Sequence, residues 1–300
     1  IMKVLLGGGT GFIGRYLSKA LIDRGHSVVV ISRTPRLKAV TWQQLDSQQS
    51  LPDCDAVVNL SGENILNFMR RWNDKYKQDV YESRIGKNKL LVNLICQATK
   101  KPKVWVSAHA VGYYPVTDEK EFDEDYVLET PKTYIESLCK DWENSAVLPD
   151  TESTRHVGIR IGVVLGPDGG IIQQSYWPFY FGLGGVIGSG KQYFHWVHIK
   201  DIVNLFVHAI ENEFVSGILN GVAPNPCTNE TFTRTFGSVL NRPTWFSVPE
   251  FAMKFAAGTE RSDIILKGNK VIPKRTLESG FEFQYPDIKN AMKDNFKKIN

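Results

Sequence analysis

Seven residues, Gly8-Gly9-Thr10-Gly11-Phe12-Ile13-Gly14, constrain the fold of this chain more than any other stretch. Before them, Met2, Val4, Leu5 and Leu6 form a short apolar run suited to a central parallel strand. After them, Ile13, Leu17 and Leu21 recur at i, i+4 and i+8 on one helical face. The glycines fall where a buried strand hands over to a helix. Such a turn needs one residue free to take unusual φ, a second that lets a pyrophosphate approach the backbone, and a third that allows close packing on the sheet. Gly8, Gly11 and Gly14 can fill these roles, with Thr10, Phe12 and Ile13 between them. Phosphates would meet the free N–H groups and positive dipole end of the helix beginning near Phe12. Three or four glycines also make an ordinary loop, and the strands and turns downstream of Gly14 decide between the two.

Gly25-His26 stops the first helix, and Ser27 to Ile31 reads as a second strand. In sheets of this kind an acid about 20 residues beyond the glycine turn bonds the ribose 2′-OH of NAD, whereas a cation accommodates a 2′-phosphate. That place holds Ser32-Arg33-Thr34, with Arg36 and Lys38 just after and no acid. The expected cofactor is therefore NADP(H). Ala56 to Leu60 is another buried strand, running into Ser61-Gly62-Glu63-Asn64. The ligand crevice of an open α/β sheet lies at such carboxyl ends, so Asn59, Leu60, Ser61, Gly62 and Glu63 are expected to line the cofactor. The stretch from Asn64 to Gln78 gives no clean period and reads as an ordered active-site connection. A helix is expected from Val80 to Ala98, with Ser83 and Arg84 in its early turns able to face the phosphates or ribose.

The G-x-x-G-x-x-G spacing resembles that of the short-chain dehydrogenase/reductases, particularly the extended, epimerase-like ones. Val58-Asn59-Leu60-Ser61-Gly62-Glu63-Asn64, Gly112-Tyr113-Tyr114, Leu138 to Glu143, Trp196 to Asp201, Gly221 to Pro224 and Val271 to Arg275 narrow the likeness to the atypical members, most closely the animal family 39U. The resemblance covers nearly all 300 residues. It implies an NADP(H)-binding fold with a small carboxyl-terminal domain and no firmly assigned substrate. In the superfamily, the strand here read as Val104 to Ser107 ends in a Ser or Thr that hydrogen-bonds the reacting oxygen, with an aromatic a few residues on. Ser107 or His109 answers to the first, Tyr113 or Tyr114 to the second. The usual proton donor, a Tyr with Lys four residues later on one helix face, is absent. Tyr134 is followed at that distance by Leu138, and Lys140 is rotated by roughly 240°. Two readings stay open: an oxidoreductase or epimerase-like enzyme, and a catalytically silent NADP(H)-binding redox sensor or partner-binding module.

Val157 to Leu165 reads as a further strand whose Arg160 needs a partner, either a carboxylate or the cofactor. The glycine- and aromatic-rich stretch from Gly166 to Val197, with Tyr176, Trp177, Phe179, Tyr180 and Phe181, suits a pocket wall or a packed core. The expected architecture is a doubly wound parallel Rossmann-type α/β sheet (1–165 plus 198–224) with a smaller, mostly helical substrate lobe (166–197 plus 225–300). His198 and Asp201 read as structural, and Lys289, Lys293 and Lys297 as a solvated face. A net charge of +4 and a charged fraction of 23% call for neither nucleic acid nor an anionic membrane, and no apolar run reaches a bilayer's thickness. The expected partner is a small-molecule substrate; nothing sets the oligomeric state. Cys54, Cys96, Cys139 and Cys227 are scattered without metal-ligand spacing, which suits reduced thiols. The sequence opens directly on its first strand, so no signal or transit segment is expected within it. The expected location is intracellular and cytoplasmic, with an organellar form after removal of a presequence as the alternative.

Overall fold

The computed structural model describes residues 1–65, 67, 70–117 and 120–297. Three positions of the 64–78 connection, 66, 68 and 69, lie outside the described residues. The central element is a parallel sheet built from β1 (Lys3–Gly7), β2 (Ser27–Ser32), β3 (Ala39–Thr41), β4 (Ala56–Asn59), β5 (Val104–Ala110), β6 (Arg155–Ile161) and β7 (Gly217–Gly221). Their spatial order is β7-β6-β5-β4-β1-β2-β3, every pair parallel. From β1 the chain winds outward to β3, then returns to β4 on the opposite side. The boundary between β1 and β4 is therefore the switch point at which such sheets open a crevice. One row of the register, Ile31, Gly7, Asn59, Ser107 and Gly158, crosses the sheet near its carboxyl ends.

Both faces of the sheet are covered, which is why its strands read as continuous apolar runs rather than alternating ones. The helices up to residue 211 are α1 (Phe12–Asp23), α2 (Trp42–Gln48), α3 (Asp74–Tyr81), α4 (Lys87–Gln97), α5 (Tyr134–Asn144), α6 (Gly170–Tyr180) and α7 (Ile199–Glu211). Leu17 and Leu21 of α1 and Ile202, Leu205 and Phe206 of α7 pack on one face; Leu45 of α2 and Leu91, Leu94 and Ile95 of α4 pack on the other. Each fully buried Leu or Ile contributes about 1.5–3 kcal/mol relative to exposure.

Three local features depart from expectation. The sheet carries the short strand β3, too brief to leave a period in the sequence. The helix expected from Val80 to Ala98 is divided, a π-helical turn at Glu82–Gly86 separating α3 from α4. The strand expected to run from Val157 to Leu165 breaks at Gly162, where a Cβ would come within 2.9 Å of the His195 carbonyl. Beyond the break, Val163–Gly166 leaves the main sheet and pairs with Trp196–His198.

The remaining chain forms α8 (Asn229–Leu240), α9 (Glu250–Ala257), α10 (Thr259–Leu266), α11 (Lys274–Glu278) and α12 (Ile288–Phe296). Ile172, Phe179, Phe232, Phe236, Met292 and Phe296 form a core of their own. Two buried carboxylates stitch the carboxyl-terminal segment to the sheet. Asp201 accepts from the Gln284 and Tyr285 amides at 2.8 and 2.9 Å. Glu124 accepts from the Asn220, Arg275 and Thr276 amides and the Thr276 hydroxyl at 3.0–3.2 Å.

Candidate functional site

The glycine turn closes on itself. Gly8 has φ +77°, and a Cβ on it would meet Leu60 and Ser61 backbone atoms below 3.0 Å, so the turn lies directly against the end of β4. The Gly11 amide donates to the Gly8 carbonyl at 3.0 Å, and a Gly14 Cβ would fall 2.1 Å from that same carbonyl. The close packing expected of Gly14 is therefore against the turn's own backbone, not the sheet. Gly11 precedes α1 with no side-chain cap, leaving the first amides and the positive end of the helix open to the crevice. Thr10 is exposed on the turn. The Phe12 ring turns away to cover Gly166, Gly169 and Gly170, where added Cβ atoms would come within 2.3–3.3 Å of it, so what Phe12 offers a ligand is backbone.

Across from this turn, Asn59 is buried and committed to protein. Its Oδ1 accepts from the Ser61 amide at 3.0 Å and from the Ser61 hydroxyl, while its Nδ2 donates to Asn88 Oδ1 at 2.7 Å. Asn88 continues the chain of bonds to Ser145 Oγ at 3.2 Å. Asn59 therefore shapes the Leu60-Ser61-Gly62 turn from behind. Ser83 holds the next residues, accepting from the Glu63 amide and donating to the Val80 carbonyl, both at 2.9 Å. Arg84 lies under Gly62, whose Cβ would come 3.0 Å from the guanidinium carbon. It stacks on Trp142 at 4.9 Å, its Nη1 donates to the Val80 carbonyl at 3.3 Å, and its Nε has no hydrogen-bond partner among the described residues. Burial pulls its pKa down to about 10. At the end of β2, Ser32 donates to the Thr34 carbonyl, and Arg33 is 88% exposed, reaching Glu63 only loosely at 3.9 Å.

A crevice of about 720 Å³ opens between the two turns and runs into the lobe. Gly8, Gly11, Phe12, Ile13, Gly14, Leu60 and Gly62 line its sheet end. Gln174, Ser175, Tyr193, Phe232, Met253 and Ile264 line its lobe end. The stretch that holds Gln174, Ser175 and Tyr193 was read as suited to a pocket wall, whereas Phe232, Met253 and Ile264 come from three further helices that nothing local in the sequence ties to it.

The four residues expected to do chemistry do not line this crevice. Successive strand residues alternate faces, so Trp105, Ser107 and His109 share one. That face is covered by α5, and Ser107 and His109 are 0% and 2% exposed. Ser107 Oγ sits between two imidazoles, 2.7 Å from His109 Nε2 and 2.8 Å from His156 Nε2. Burial holds His109 neutral and takes His156 down to about 4, so the hydroxyl donates to one ring and accepts from the other. Tyr113 Oη accepts from the Leu128 amide at 3.0 Å; Tyr114 Oη donates to Asn220 Oδ1 and accepts from Arg160 Nη1, both at 2.8 Å. Both hydroxyls are bonded within the protein. Of the two partners open to Arg160, the fold supplies the carboxylate: Glu143 takes Nε and Nη2 at 2.9 and 2.8 Å, and Arg160, 2% exposed, is not a cofactor contact. Tyr134 packs edge-on against Trp72 at 5.7 Å, and Lys140 bonds the Glu129 carbonyl elsewhere.

A model of the NAD dependent epimerase/dehydratase family matches residues 4–220, from β1 through β7. The chain belongs to this family. A second model, a domain of unknown function (DUF1731), matches residues 248–294, spanning α9 to α12. The epimerase family protein SDR39U1 of Homo sapiens is 43% identical over 296 residues, which covers 98% of this chain and 99% of that protein. A crystal structure of human SDR39U1 (isoform 2) with NADPH superimposes with a TM-score of 0.93 at 44% identity over 98% of each chain. A nucleoside-diphosphate sugar epimerase from Corynebacterium glutamicum follows the same path at 27% identity and a TM-score of 0.76, over 97% of this chain and 57% of its own. The family 39U likeness read from the motifs thus extends along the whole chain. Among the described residues no helix is long and apolar enough to cross a membrane, and no group of three His, Cys, Asp or Glu is arranged to hold a metal.

Proposed function

We propose that this family member is an NADP(H)-dependent oxidoreductase or epimerase-like enzyme acting on a small carbonyl or alcohol. The observation that carries it is the uncapped start of α1, facing the crevice across a turn whose glycines leave no room for side chains. The residues fit the cofactor: Gly8, Gly11 and the α1 amides for the pyrophosphate, Leu60 and Gly62 for the neighbouring ribose, Arg33 for a 2′-phosphate. When bound, the nicotinamide supplies a hydride donor or acceptor at C4. Ser175 and Tyr193 line the crevice with hydroxyls that have no partner among the described residues, and these replace the buried Ser107, His109, Tyr113 and Tyr114 as groups able to hold a substrate oxygen.

The test is a titration of the protein with NADPH and NADH, followed by nicotinamide fluorescence. NADPH should bind at least about ten-fold tighter, and Arg33→Ala should remove most of that preference, the worth of one charge-assisted contact to phosphate. Equal binding of the two, or an unaltered preference in Arg33→Ala, refutes the assignment. The burial of the superfamily's usual catalytic positions supports a second reading, a silent NADP(H)-binding sensor. It is distinguished by tight NADPH binding with no consumption of NADPH on any carbonyl of a broad panel.

A further inference from the structure

The lobe end of the crevice has a wall chemistry of its own. Its apolar surface comes from Ile171, Phe179, Phe194, Phe232, Met253 and Ile265. No Lys, Arg, Asp or Glu lines the crevice at all among the described residues. The nearby cations are turned elsewhere: Arg84 lies beneath Gly62 on the sheet side, and Arg261 of α10 reaches over Trp72 and donates to the Arg70 carbonyl at 2.9 Å. Several of the polar lining groups are spent on the wall itself. Gln192 Nε2 donates to the Ile187 carbonyl at 2.9 Å, Asn229 Oδ1 accepts from the Ile187 amide at 2.9 Å, and His195 is bonded to the Asn269 carbonyl. What is left for a ligand is neutral, the Gln174 amide and the Ser175 and Tyr193 hydroxyls among it.

A nucleoside-diphosphate sugar would bring a doubly charged diphosphate into this end, where no cationic side chain among the described residues lines the wall, the start of α8 is already capped by Thr228, and the uncapped start of α6 at Gly170 offers only a partial positive charge. An unpaired buried charge is strongly disfavoured, whereas apolar ligand surface gains from the same wall. We propose that the lobe end takes an uncharged, largely apolar molecule bearing one or two oxygen functions, and excludes nucleoside-diphosphate sugars. This rests on the NADP(H) reading for the sheet end and specifies the substrate class that goes beside it.

Calorimetry on NADPH-loaded protein with methyl heptyl ketone, a neutral apolar carbonyl, and with UDP-glucose tests it. The ketone should bind at least about ten-fold tighter than UDP-glucose. Ile264→Glu, at a half-exposed lining position, should weaken the ketone by about five-fold or more, because it places a charge against the apolar face. UDP-glucose binding as tightly as the ketone, or a ketone affinity untouched by Ile264→Glu, overturns the proposal. Running the same pair of ligands on protein without NADPH keeps the two readings apart. Failure of NADPH to bind strikes the cofactor assignment, while the order of the two ligands still decides the class.

Discussion

Arg160 gathers three side chains around one buried charge. Its guanidinium is held in a two-point bond by Glu143, donates to Tyr114, and lies 3.8 Å above the Tyr113 ring. Both phenols that resemble catalytic groups in the sequence are thereby fixed as its packing partners. Glu143→Gln leaves this cation buried without its counter-charge, and should cost about 3 kcal/mol in urea denaturation, as broken buried pairs do. A loss below about 1 kcal/mol would mean that solvent relaxes into the site. That Arg160 required a partner was legible in the sequence, since a charge in an apolar strand cannot stand alone. Which partner it takes was not, because Glu143 sits 17 residues earlier on α5, and only the packing of that helix onto β5 and β6 brings them together. The surroundings of Ser107 and His109 were not legible for a related reason: alternation says which residues share a face but not what covers it.

At the scale of elements, the connection from Asn64 to Gln78 had no period to read, and the structure shows what it packs against. Trp72 packs edge-on against Tyr76 and Tyr134, each at 5.7 Å. Its indole N–H donates to Glu260 on α10, which also pairs with Lys77 at 2.7 Å. These bonds tie the sheet half to α9 and α10, whose Met253, Ile264 and Ile265 form part of the crevice wall. Glu260→Ala should loosen that wall. Amide exchange across 250–266 is expected to quicken by about five-fold, corresponding to roughly 1 kcal/mol for a half-exposed charge-assisted contact. Unchanged exchange would show that apolar packing alone seats the two helices. The glycine turn, by contrast, was readable apart from what Gly14 packs against, because its conformational demands are local.

For the whole molecule, the buried histidines set a pH window. Burial takes His156 and His198 down to about 4 from an ordinary value of 6.5. The unfolded chain therefore binds more protons than the folded one between those values, so stability falls as pH drops through that interval. Each contributes at most roughly 3 kcal/mol of the loss. Urea midpoints should decline from about pH 7 to about pH 5, and His198→Asn, which can still cap α7 by accepting from the Lys200 amide, should flatten the slope. A midpoint constant over that range would show that these rings do not stay neutral. The doubly wound parallel sheet, β3 apart, was foreseeable from apolar runs and turn residues. The walls of the lobe were not, since they depend on the chain crossing between the two halves more than once.

Glu124 gives that crossing an order in time. The amide of Asn220, on the edge strand β7, is held by a residue made long before it, while the Asn220 carbonyl accepts from Thr276 and its side chain donates to the Ile272 carbonyl. On the ribosome the outer rim of the sheet therefore stands uncovered while some fifty further residues are made. An open rim is a template for a neighbouring strand. The last segment of the chain thus acts as a closing seam, and the nascent protein is most exposed to self-association in the interval before that seam arrives.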